Sequence, residues 1–151
     1  MLNQDYKEIL YIFLEEKVDF IVVGAYALAA HGIPRSTGDI DIFIKPDKEN
    51  SIKVYKSLAR FGAPLENIEP ADFEKQGTVF QIGIIPRRID IINKISGVTF
   101  NSAFTDRKII KIENLQIPVI SVKMLIKNKE STGRDKDRID AAMLRKNYPD
   151  L

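Results

Sequence analysis

The chain has 151 residues, 44% hydrophobic and 29% charged, which bounds it to one globular domain with room for a real core. It has no cysteine and a single histidine, His31, which excludes disulfides, thiolate metal sites and multi-histidine sites within the chain. The net charge of +2 conceals an asymmetry, because residues 1–106 carry 12 basic against 15 acidic side chains while residues 107–151 carry 11 against 6. A basic C-terminal third suits phosphates, and equally suits a solvated helical surface.

The N-terminal stretch is amphipathic and acidic, unlike an export signal, and the longest apolar run, Phe20 to Ala30, is too short to span a bilayer. A cytoplasmic protein with no membrane partner is the expectation. Residues Asn3 to Lys17 read as a helix with Tyr6, Ile9, Leu10, Phe13 and Leu14 on one buried stripe. Phe20 to Val23 reads as a fully apolar strand, and Ala25 to Ala30 as a short helix stopped by His31-Gly32 and Pro34. Asp39 to Lys45 alternates strictly, as a half-buried strand does. Lys48 to Phe61 reads as a helix with Ile52, Tyr55, Leu58 and Ala59 turned inward and Gly62 at its end. Residues 63–77 carry no readable pattern. Thr78 to Ile85 and Arg88 to Ile92 are strand-like runs separated by Pro86, and Lys108 to Ile112 and Ile117 to Ile120 are two more. Ser121 is placed to cap a helix through Lys129, and Asp135 to Lys146 gives another. The expected fold is a single α+β domain over residues 1–151, a mixed sheet packed with helices and ending in C-terminal helices.

The chemistry concentrates in two aspartates. Asp39 and Asp41 stand two apart on a strand, so they share a face about 6.6 Å apart while Ile40, Ile42 and Ile44 take the other. Two like charges there are costly unless a cation lies between them, and all-oxygen donors suit magnesium or manganese. Asp90, in R-R-I-D-I-I-N, would join them if its strand pairs alongside. Three such aspartates offer a surface for two cations, as phosphoryl transfer uses. A reading without chemistry has Asp39 capping a turn, Asp41 paired with an arginine and Asp90 paired with Arg88. A D-x-D pair also occurs in sugar-nucleotide glycosyltransferases. Just upstream, an apolar strand ending in Gly24-Ala25 opens directly into a helix, whose free N–H groups and dipole attract a phosphate. Arg35 and Thr37, just before Asp39, could contact phosphates or stabilise the turn. His31 reads as a helix-end residue, and Asp137 and Asp140 as partners of basic neighbours such as Arg134.

Gly24-Ala25, thirteen residues, Asp39-Ile40-Asp41 and then a later strand aspartate resembles the nucleotidyltransferase superfamily typified by DNA polymerase β. The stretch V-G-A-Y-A-L-A-A-H-G-I-P-R-S-T-G-D-I-D-I is similar to the abortive-infection group, the toxin class of some toxin–antitoxin pairs. K-N-K-E-S-T-G-R-D-K-D-R-I-D, residues 127–140, resembles that group's later motif. The resemblance implies a metal-dependent transfer of a nucleoside monophosphate from an NTP to a hydroxyl of RNA, protein or a small molecule. In that scheme Asp39 and Asp41 bridge two Mg2+ (or Mn2+) ions, and Asp90 ligates the one nearer the acceptor and helps remove its proton. Gly24 and Ala25 hold the phosphates, Lys127 and Arg134 hold the nucleotide, and an antitoxin or other subunit is a partner. The family's Gly-Gly or Gly-Ser is Gly-Ala here, which keeps the backbone donors and loses a hydroxyl. A catalytically weak module that binds nucleic acid or a partner protein is the alternative.

Overall fold

The computed structural model describes residues 2–151. Helix α1 (Gln4–Glu15) begins where the Asn3 side chain accepts the Tyr6 amide at 2.9 Å, and it buries Tyr6, Ile9, Leu10, Ile12 and Phe13. Leu14 packs on the edge of that stripe. Strand β1 (Phe20–Val23) is buried throughout, as its uniform apolarity requires, and leads without a break into α2 (Gly24–Ala30). Strand β2 (Asp39–Ile44) follows, with Ile40, Ile42 and Ile44 buried.

Helix α3 (Lys48–Phe61) is capped by Asp47 and ended by Gly62 in the left-handed conformation, φ 93°. Its buried face differs from the expected one. Asn50, Ser51, Val54, Ser57 and Leu58 are inside, whereas Ile52 and Ala59 are exposed and Tyr55 is half-buried. Hydrogen bonding explains the rotation. Asn50 accepts the Asp19 amide at 2.8 Å and donates to the carbonyls of Lys45 and Asp19, and Ser57 donates to Lys53 O at 2.7 Å. Satisfied polar groups can occupy core positions that hydrophobicity alone assigns elsewhere.

The patternless stretch contains a 3-10 turn, Pro70–Glu74, that buries Phe73. Strands β3 (Val79–Ile82) and β4 (Arg88–Ile92) are shorter together than expected, because Ile84 and Ile85 lie exposed in the connection. Helix α4 (Phe100–Thr105) was not foreseen; Phe100 stacks edge-on to Phe43 at 5.2 Å and ties it to β2. Strands β5 (Lys108–Ile112) and β6 (Leu115–Val119) form a hairpin, followed by α5 (Val122–Ser131), capped by Ser121, and α6 (Asp135–Asn147).

The six strands make one mixed sheet in the order β3-β4-β2-β1-β6-β5. Strand β2 is antiparallel to β1 and parallel to β4, and the latter register sets Asp39 opposite Arg88 and Asp41 opposite Asp90. The expected α+β architecture is therefore present, with the chemistry-bearing strands in mid-sheet. The apolar face of β2 is a quantitative test of that core. Ile42→Val removes one methylene from a fully buried side chain and should cost about 0.5–1.5 kcal/mol in denaturant unfolding.

Candidate active site

Alternation along β2 puts Asp39 and Asp41 on one face, and the β2–β4 register adds Arg88 and Asp90 to that face. One carboxylate oxygen from each of Asp39, Asp41 and Asp90 lies within 4.8 Å of the others. The convergence expected from the sequence is thus present. So is the pairing of Asp90 with Arg88 that the reading without chemistry required. Arg88 donates from Nε to Asp90 Oδ1 at 3.0 Å and from Nη2 to Asp39 Oδ2 at 2.8 Å and Asp90 Oδ2 at 3.3 Å. The Thr37 hydroxyl donates to Asp39 Oδ1 at 2.9 Å, so Thr37 orients a carboxylate. The Tyr6 hydroxyl donates to the carbonyl of Arg88 at 3.0 Å and pins the start of β4 to α1; burial and then the neighbouring Tyr26 push that phenol up to about 12.

Asp41 has no basic partner among the ion pairs of the described residues. Burial first, then the charges of Asp39 and Asp90, push its carboxyl up to about 7. Asp90, 6% exposed, is also raised by burial, with Arg88 opposing. Three carboxylates against one guanidinium leave an excess of about two negative charges on hard oxygen donors. That donor set fits a divalent cation such as magnesium or manganese.

Beside the triad lies a cleft of about 460 Å³. Gly24, Ala25, Thr37, Asp39 and Asp41 line it together with Asn128, Lys129, Thr132, Arg134, Lys136 and Asp137 of the C-terminal segment. Gly24 has φ +71°, and a Cβ there would sit 3.1 Å from Asp41 Cγ and collide with the carboxylate. Glycine thus serves both the turn from β1 into α2 and the space Asp41 occupies. Gly24→Val should lower stability by about 1–3 kcal/mol, read as a fall in melting temperature.

The basic wall is built differently from the expectation. Lys127 is exposed and lies off the cleft, beside Lys123, Glu130 and Arg145. Lys129 faces the cleft instead. Its ammonium lies 3.2 Å from Asp137 Oδ1 and 3.5 Å from Asp140 Oδ2. Burial pushes Asp137 up, but hydrogen bonds from Thr132 and Lys129, with Arg134 adding a third, hold its carboxyl below the usual carboxylate range. Arg134 is on the rim, paired with Asp137 at 2.8 Å. Arg35 lines a separate depression with Tyr26 and Thr37, and its guanidinium is engaged by the buried Asp140. His31 ends α2, its Nε2 2.7 Å from Ile120 O, as a helix-end residue would. Among the described residues no helix is long and apolar enough to cross a membrane.

A signal for Lys129 is present in the sequence. Val122, Leu125 and Ile126 are the buried face of α5, and a residue at the next matching position, 129, continues that face. Asp137 and Asp140 likewise continue the stripe of Ala141 and Leu144 on α6.

No protein-family model matches the sequence, and no curated protein does. Solved structures do share its fold. The whole chain superposes on 97% of a candidate nucleotidyltransferase of Thermotoga maritima, with a TM-score of 0.64 and 18% identity. Over 95% of its length it matches the solution structure of the antibiotic-resistance factor ANT(2″)-Ia, covering 82% of that chain at TM-score 0.63 and 13% identity. It also matches the crystal structure of ANT(2″)-Ia with adenylyl-2″-tobramycin, covering 96% of that chain at TM-score 0.54 and 14% identity. At identities this low the superpositions establish the fold alone, the one these solved structures share.

Proposed function

We propose that this chain is a nucleotidyltransferase that moves a nucleoside monophosphate from an NTP to a hydroxyl acceptor. The observation that carries the reading is the convergence of Asp39, Asp41 and Asp90 on one face of the sheet beside a cleft with a basic far wall. In the reaction the acceptor oxygen attacks the α-phosphorus, the bond from that phosphorus to the bridging oxygen of the β-phosphate breaks, and pyrophosphate leaves. A divalent cation held by Asp39, Asp41 and Asp90 would neutralise the triphosphate and lower the pKa of the acceptor hydroxyl.

The remaining roles belong to the chain. Asp90, the most buried of the three, is the candidate to receive the hydroxyl proton. Thr37 fixes the orientation of Asp39. Gly24 and Ala25 offer main-chain donors and no bulk to the phosphates where β1 enters α2. Lys136 adds positive charge to the cleft, while Lys129 and Arg134 share theirs with Asp137. Arg35 acts at one remove, by holding α6 through Asp140.

A small-molecule hydroxyl is supported as acceptor by the fold shared with ANT(2″)-Ia, which was solved with an adenylylated tobramycin. The finer reading, a toxin of the abortive-infection type with an antitoxin partner, is supported by residues 23–42 and 127–140. The test is transfer of label from α-labelled NTPs with magnesium to aminoglycosides, RNA and cell extract. Label on an acceptor with wild type and not with Asp41→Asn supports the reading. It is overturned if no label moves and calorimetry finds no Mg–NTP binding alongside firm, salt-sensitive RNA binding.

A further inference from the structure

We infer that Arg88 is a built-in counter-cation of the acidic triad, one that competes with the divalent ion for Asp39 and Asp90 and must withdraw for that ion to bind. The inference rests on the proposed metal-dependent function. It concerns a residue to which the nucleotidyl-transfer scheme gives no role.

The atoms involved carry the argument. Arg88 occupies Asp39 Oδ2 and both oxygens of Asp90, so any oxygen that Asp90 offers a metal is one the guanidinium already holds. Thr37 takes the remaining oxygen of Asp39, which leaves Asp41 as the carboxylate without a basic partner. Position dictates this reach. Arg88 pairs with Asp39 across β2–β4 and precedes Asp90 by two residues, so one planar fork meets a cross-strand neighbour and a same-strand neighbour together. In the absence of metal the guanidinium keeps two closely spaced carboxylates compatible.

Arg88 also has a way out. Its side chain is 27% exposed, against 9% for Asp90, so the guanidinium can rehydrate when released. Its backbone stays fixed meanwhile, because Tyr6 bonds to its carbonyl. The side chain can therefore move without disturbing the strand that carries Asp90. Arg88 in this sense sets the threshold at which metal replaces it.

Calorimetric titration of the full chain with Mn2+ at neutral pH, with melting temperatures measured in EDTA and in saturating Mn2+, tests the inference. Removing a positive charge a few ångströms from the site should tighten Mn2+ binding by about tenfold or more in Arg88→Met. The same variant should melt lower than wild type in EDTA and gain more from Mn2+. Binding in Arg88→Met that is equal to or weaker than wild type overturns the inference. A measurement on the wild type covers the case in which the variant does not fold. The Arg88 Nε–H resonance should move towards that of a solvated arginine as Mg2+ saturates the protein, and an unmoved resonance also overturns the inference. Failure of the parent reading is distinct: wild type would then bind no Mn2+, or Asp41→Asn would bind it equally well.

Discussion

Asp41→Asn is expected to lower nucleotidyl transfer by about 10³-fold or more, the equivalent of roughly 4 kcal/mol of transition-state stabilisation, while making the metal-free protein more stable at pH 8. Both effects come from one feature. Asp41 is half-buried between Asp39 and Asp90 with no basic partner, and burial and those charges push its carboxyl up to about 7. In the unfolded chain the same group titrates near the usual value of about 3.9. Between those values the folded protein keeps a proton that the unfolded chain has released. Stability contributed by this residue is therefore present at acid pH and falls as pH rises towards 7. Asparagine removes the titration and keeps the shape. Melting temperatures in EDTA from pH 5 to pH 8 should show wild type losing ground to the variant, and Mg2+ should restore wild type alone. A wild type that gains on the variant as pH rises would contradict this account of the site.

Asp140→Ala should cost about 3–5 kcal/mol of stability without touching the triad, because it leaves the Arg35 guanidinium without its anion and takes one of two partners from the largely buried Lys129. Asp140 is 1% exposed and is engaged by Arg35 from the segment before β2, with Lys129 of α5 at 3.5 Å. Once the carboxylate is gone, Lys129, 12% exposed, keeps only Asp137, and Arg35 loses its anion. Urea unfolding gives the magnitude, and the double variant Asp140→Ala/Arg35→Met should recover part of the loss, since the members of one network do not add. An additive double variant would show that Arg35 and Asp140 act independently.

The parts of this molecule legible in its sequence are those where one periodicity dominates. Phe20 to Val23 could only be an interior strand, and the alternation of Asp39 to Ile44 showed which side chains share a face. The pairing of β4 beside β2 was a conditional inference, because strand neighbours 49 residues apart leave no local mark. Hydropathy places the inward face of α3 elsewhere because it counts Asn50, Ser51 and Ser57 as surface, whereas all three are buried, Asn50 and Ser57 with their side chains bonded to local backbone. Helix α4 was missed because six residues are too few to show a period. The resemblance implies Lys127, which lies off the cleft, whereas the buried stripe of α5 continues to Lys129. The ion pairs Arg35–Asp140 and Arg88–Asp39 join distant segments, and composition is silent about those.

Two of the acids reside on β2 and the third on β4, with α3, the 3-10 turn and β3 threaded between them, and the opposing lysines reside later still, on α5 and α6. A chain synthesised only as far as β2 thus carries two of the three clustered acids and none of the opposing lysines. The triad and the lysines opposite it come together only once β4, α5 and α6 have all been made.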